Sequence, residues 1–226
     1  MPGPAKWVGF WLYVLLDLFS RFVVGWLVAE RESAALAEQL IDESAARHRK
    51  VLRYLQQGIA LGQLCLHSDR GGPMTAKTLA LLFGDLGVRP SLARPRTPDD
   101  NPFSEAQFKT VKYHPAFPER FGSLLDARVW GRQFFDWYNY QHHHTGLGLM
   151  TPAAVHFGQA QALLLQRQRV LHLAYAAHPE RFVKGLPEPP SLPDAVWINP
   201  PQTGEKARSD TRTIDTKSAN SVSKNH

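Results

Sequence analysis

One cysteine, Cys65, is all that 226 residues provide, so no disulfide can form within the chain. A disulfide-stapled secreted scaffold is thereby excluded, and a reducing, cytoplasmic setting at the nucleoid fits. Set in the apolar triplet L-C-L at 64–66, the thiol is expected to be buried and structural. Long apolar runs are scarce as well. The best candidate for a membrane span, residues 7–29, carries Asp17, Ser20 and Arg21 at its centre, where an ionisable group is strongly disfavoured. Two strands joined by a turn explain the run better, and no membrane partner is expected. No basic n-region with a cleavage site marks a signal peptide. Acidic residues are outnumbered: 20 Asp and Glu face 26 Lys and Arg, giving a net charge of +6 and an isoelectric point near 9.6. That balance favours a polyanionic partner such as nucleic acid. Internal repeats are absent, and residues 204–226 hold no aromatic side chain, a composition expected to stay disordered.

Hydrophobic residues make up 43% of the chain, enough for a sizeable core. Residues 10–17 and 22–29 are aromatic and β-branched and read as a β-hairpin, buried on both faces because alternation is weak. Ser33 caps a helix reaching about residue 49, and 64–66 form a short buried strand ending at His67-Ser68-Asp69. A helix over 75–86 stops at Gly87, and 88–92 make a brief strand. Further helices start at Pro102, at the Ser123 cap (to residue 140) and at about 158 (to 177). The order predicts an α/β fold with a mixed sheet flanked by helices. Residues 1–157 form the main domain, 158–186 a C-terminal helical extension, and 187–226 a Pro-rich and then disordered tail.

The chemistry centres on two carboxylates with 35 residues between them, Asp69 in L-H-S-D-R-G-G and Glu105 in D-D-N-P-F-S-E-A-Q-F-K-T-V-K. Asp69 falls at the end of a strand beside a glycine turn with room for a phosphate. Glu105 falls in a helical first turn. Mg²⁺ is hard and octahedral and prefers such oxygens, with water and phosphate completing its shell. Two such ions can activate a nucleophile and neutralise a leaving oxygen. On the same helix face as Glu105 lie Lys109 and Lys112, able to position backbone phosphates without reading sequence. Phe103, Ala106 and Val111 are expected to face the core. Taken alone, the stripe also reads as an ordinary surface Glu–Lys pair.

The motifs together resemble the catalytic core of bacterial insertion-sequence transposases of the DDE, retroviral-integrase superfamily. The matching segments are V-L-L-D-L-F-S-R-F-V-V-G-W at 14–26, H-S-D-R-G-G at 67–72 and D-N-P-F-S-E-A-Q-F-K-T-V-K at 100–112, with F-F-D-W-Y-N at 134–139 and H-T-G-L-G-L-M-T-P-A at 144–153. The resemblance spans roughly residues 3–185. It implies an RNase H-like mixed sheet, Mg²⁺ or Mn²⁺ as cofactor, and cleavage and joining of DNA strands at transposon ends. Asp69 and Glu105 are then the second and third members of an acidic triad, and Lys109 and Lys112 contact DNA.

The family's first triad Asp sits on a first strand, shortly before the part that resembles G-P-A-K-W at 3–7. Here that strand is expected to be incomplete or missing, leaving the site short of one ligand. Asp17 reads as a turn residue rather than a substitute. His142, His143 and His144 are consecutive and cannot all face one metal on a regular element; by the resemblance, His144 is a phosphate contact near the site. Trp130, Phe134, Phe135 and Trp137 read as core. Arg94 and Arg96 either steer DNA or belong to a solvated loop. The expected partners are transposon-end and target DNA, further copies of the chain, and a separate DNA-recognition subunit or N-terminal domain. The competing reading is a non-catalytic, DNA-binding or regulatory remnant, and a third is a nuclease that cuts without joining.

Overall fold

The computed structural model describes residues 1–55, 64–95 and 100–198. The polar tail at 204–226 and Arg96 lie outside the described residues. Strand β1 (Trp11–Leu16) pairs antiparallel with β2 (Val23–Ala29), with an irregularity in register between Leu15 and Leu16. Helix α1 (Ala34–Leu55) follows Ser33, whose carbonyl accepts from the Ala37 N–H at 3.2 Å. Strand β3 (Cys65–Ser68), helix α2 (Lys77–Leu86) and strand β4 (Arg89–Leu92) form one unit, in which β3 and β4 pair in parallel. Gly87 closes α2 at φ 65°, a left-handed turn that glycine takes without strain. Helices α3 (Pro102–Lys112), α4 (Leu124–Tyr140), α5 (Pro152–His156) and α6 (Ala160–Ala177) complete the order. Pro102 opens α3, and the Ser123 hydroxyl caps α4 by accepting from the Asp126 N–H at 3.1 Å.

The hairpin is covered on both sides. Leu12, Val14, Leu16 and Trp26 pack against Phe134, Phe135 and Tyr138 of α4. On the opposite side Leu15 joins Ile41 of α1, Leu79 and Phe83 of α2, and Leu66 of β3. Both faces are apolar, which is why the strands alternate so weakly. A buried Asn139 ties α4 to the rim of β2: its Oδ1 accepts from the Val23 N–H at 2.8 Å, and its Nδ2 donates to the Val23 carbonyl at 3.1 Å. Among the described residues no helix is long and apolar enough to cross a membrane, and the run at 7–29 lies in the hairpin.

The fold is α/β, as expected, with one difference in its sheet. The described strands form two ladders, β1–β2 and β3–β4, that share a core cluster without hydrogen bonds between them. Two expectations are corrected. Cys65 is exposed, not buried. Strand β3 runs over residues 65–68 and is exposed to half-buried, because among the described residues β4 is its one ladder partner and covers one edge of a short strand. The core face of α3 also differs: Gln107 and Val111 are buried, while Ala106 faces solvent.

Candidate active site

Asp69 follows directly on β3 and is exposed. Its Oδ1 accepts from the Gly71 N–H at 3.1 Å, a turn that aims the carboxylate and leaves its second oxygen uncommitted. Glu105 lies in the first turn of α3, also exposed. Neither pairs with a Lys, Arg or His among the described residues. Lys109 and Lys112 are exposed on the same helix, so Glu105 and both lysines share its solvent side.

What brings strand end and helix start together is His67. Its Nε2 lies 2.9 Å from the Asp100 carbonyl and its Nδ1 2.9 Å from Ser91 Oγ. A carbonyl only accepts, so Nε2 carries the proton and Nδ1 accepts from the Ser91 hydroxyl. The imidazole thus joins β3, β4 and the entry to α3. Asp69 stands two residues beyond one end of this bridge and Glu105 five beyond the other. Asp100 is itself buried and gripped by Arg94: the Arg94 N–H donates to Oδ2 at 2.7 Å, Nε to Oδ2 at 2.9 Å and Nη2 to Oδ1 at 2.7 Å. Its hydrogen bond to Asp100 raises the Arg94 pKa above the ordinary value. Arg94 is therefore a fastener of the loop before α3, where the sequence left it between DNA steering and a solvated loop. Opposite, the Arg70 Nε–H donates to the Ala93 carbonyl at 2.9 Å.

Sequence reasoning missed His67 and Asp100, although both flank the motif residues in H-S-D and D-D-N-P. It also missed Glu32. A Cβ on Gly71 would stand 3.1 Å from Asp69 Oδ1 and 3.9 Å from Glu32 Oε1, so a bare glycine separates two carboxylates. Asp17, by contrast, sits in the hairpin turn, where its Oδ1 accepts from the backbone N–H and the hydroxyl of Ser20, each at 2.7 Å. Trp130 and Trp137 are partly buried around Phe134 and Phe135. His144 is half-buried beyond α4 with its Nε2 unpartnered, and burial, with His142, Arg21 and His143 nearby, holds its pKa down to about 4.

Asp69 and Glu105 offer hard, uncommitted oxygens of the kind that suit Mg²⁺ or Mn²⁺, with water and phosphate oxygens left to complete the shell. Among the described residues no group of three or more His, Cys, Asp or Glu side chains is arranged to hold a metal ion.

Two models of the integrase core domain match the chain, one over residues 1–98 and the other over 86–152. The chain belongs to the integrase core family. This integrase core is 25% identical over 150 residues to the transposase for insertion sequence element IS904 of Lactococcus lactis subsp. lactis (strain IL1403), covering 66% of this chain and 55% of that protein. It thus spans a little over half the length of the curated relatives it matches, at 55% and 57%. Among solved structures it is similar to the catalytic core domain of BIV integrase, with a TM-score of 0.43, 19% identity, and coverage of 67% of this chain and 88% of that one. It is also similar to a chain of the simian T-cell lymphotropic virus intasome in complex with PP2A regulatory subunit B56 gamma. There the TM-score is 0.45 and the identity 16%, over 64% of this chain and 47% of that one.

Proposed function

We propose that the chain is the catalytic-core portion of an insertion-sequence transposase, which cleaves DNA strands and joins them in DNA transposition. The observation that supports this reading is the His67 contact to Asp100, which ties the strand that ends before Asp69 to the loop that enters the helix of Glu105. Asp69 and Glu105 would hold Mg²⁺ or Mn²⁺, which when bound supplies Lewis acidity to the attacking hydroxyl and the departing oxygen. Lys109 and Lys112 hold neighbouring backbone phosphates. Water or a 3′-hydroxyl attacks phosphorus and the 3′-oxygen of the cut strand leaves, so no Ser, Cys or Tyr nucleophile is required. The DNA partners are transposon ends and target. Two-ended chemistry calls for several copies of the chain, and end recognition for a further domain or subunit.

The test is incubation of the chain with labelled ends of its own element and Mg²⁺ or Mn²⁺. Cleaved and joined products that vanish in Glu105→Gln and in Asp69→Asn are the expected result. Cleavage without joining would replace the transposase reading with a nuclease. A second reading, a regulatory remnant that binds DNA without cutting it, draws on the absence of a three-ligand group among the described residues. It predicts no products, and DNA binding that neither Mg²⁺ nor Asp69→Asn alters.

A further inference from the structure

The hairpin turn that closes β1 on β2 holds an arginine where glycine is favoured. Arg21 has φ 60°, a left-handed conformation in which a long side chain is strained. Its backbone N–H donates to the Asp17 carbonyl at 2.9 Å, closing the turn. A glycine would close it equally well, so the turn itself does not call for this side chain.

The strain places a cation on α3. The guanidinium carbon lies 3.8 Å from the centre of the Phe103 ring, two residues before Glu105. One Nη1–H donates to the Leu18 carbonyl. No carboxylate comes within ion-pair distance of Arg21 among the described residues. Burial lowers the guanidinium pKa, with Tyr138 and Asp17 acting in the opposite direction. Among the described residues, the half-buried guanidinium therefore keeps most of its five N–H donors without an acceptor.

The rings near it also keep polar atoms without a protein partner among the described residues. Tyr138 is buried and its hydroxyl makes no hydrogen bond among the described residues. His144 meets Tyr138 edge-on at 5.0 Å between ring centres, and its Nε2 is buried without a partner. The charge on Arg21 reaches both rings. Buried polar groups are almost always paired, and backbone strain gathers where ligands bind. A cation with spare donors near one buried, unpaired nitrogen, His144 Nε2, and a phenol hydroxyl without a protein partner calls for a ligand that brings several acceptor oxygens. The planar fork of arginine matches a phosphate.

We infer that Arg21, with the Tyr138 hydroxyl beside it, forms a phosphodiester-binding site against the first turn of α3, holding the DNA strand that runs toward Glu105. The site rests on the DNA reading above. Lysines 109 and 112 grip the strand on the solvent side of α3, whereas Arg21 grips it from the hairpin.

The test is Arg21→Gly in the full chain, read by thermal unfolding and by fluorescence anisotropy with a labelled DNA duplex over a salt series. Glycine takes φ 60° without strain, so the variant should unfold at the same temperature as the parent or higher. Its DNA affinity should fall about tenfold and its salt slope by about one counterion. Arg21→Lys keeps the charge without the fork and should restore the slope but only part of the affinity. Inorganic phosphate should shift the His144 ring resonances in the parent and not in Arg21→Gly. Unchanged affinity and slope in Arg21→Gly would overturn the site and leave the DNA reading standing. A lowered unfolding temperature would overturn it too, making Arg21 a clamp on Phe103. A parent chain that does not bind DNA overturns the DNA reading, and the site with it.

Discussion

Burial of imidazole beside a guanidinium sets the protonation state in which this chain folds. Burial, then His142, Arg21 and His143, hold His144 down to about 4, and burial with His143 and His114 lowers His142. An unfolded histidine titrates near about 6.5. Between those two values the unfolded chain binds more protons than the folded one, so stability is complete above the window and declines as pH falls through it. The unfolding temperature followed by circular dichroism should drop between about pH 7 and pH 5, and His144→Phe should flatten that drop. An identical drop in parent and variant would rule out His144 as its source. The largest cause, burial, is not announced by H-H-H at 142–144, and neither is Arg21, which reaches His144 only through the fold.

The elements show which signals survive in a sequence. Helix α4 was legible because its Ser123 cap and its aromatic spacing agree, and Phe134 and Phe135 are indeed buried. Helix α3 was legible at its start, through Pro102, but not on its inner face, where Gln107 lies buried with both side-chain polar atoms unpaired. An amide in place of an apolar residue broke the pattern that would have marked that face. The five-residue α5 is too short to show a period. Gly25 of β2 looks like a weak strand residue, yet it marks a close approach. A Cβ built there would overlap Ser44 Oγ of α1 and stand 3.1 Å from Leu40 Cδ1. Gly25→Ala should therefore destabilise the chain by about 1–3 kcal/mol through overpacking. A urea midpoint equal to that of the parent would refute this.

At the scale of the molecule, the α/β class could be read from the order of elements, and the places of Asp69 after a strand and of Glu105 in a helical first turn from local pattern. The tie between their two elements could not, because the His67 and Asp100 contact spans 33 residues. The same holds for the division of the strands into two ladders. That division has a consequence for how the chain breathes. The β1–β2 ladder lies between α1 and α4, fastened by Asn139 and by a cluster of aromatic rings. The β3–β4 ladder is local in sequence, exposes Cys65, and shares one apolar cluster with the rest. Segments with few buried contacts open at lower free energy. Amide hydrogens of residues 65–68 and 89–92 should exchange with deuterium well before those of 23–29, with one common rate setting the lower limit within each ladder. Equal protection in both would mean a single cooperative unit. On this expectation the ladder that presents Asp69 is the one that opens first.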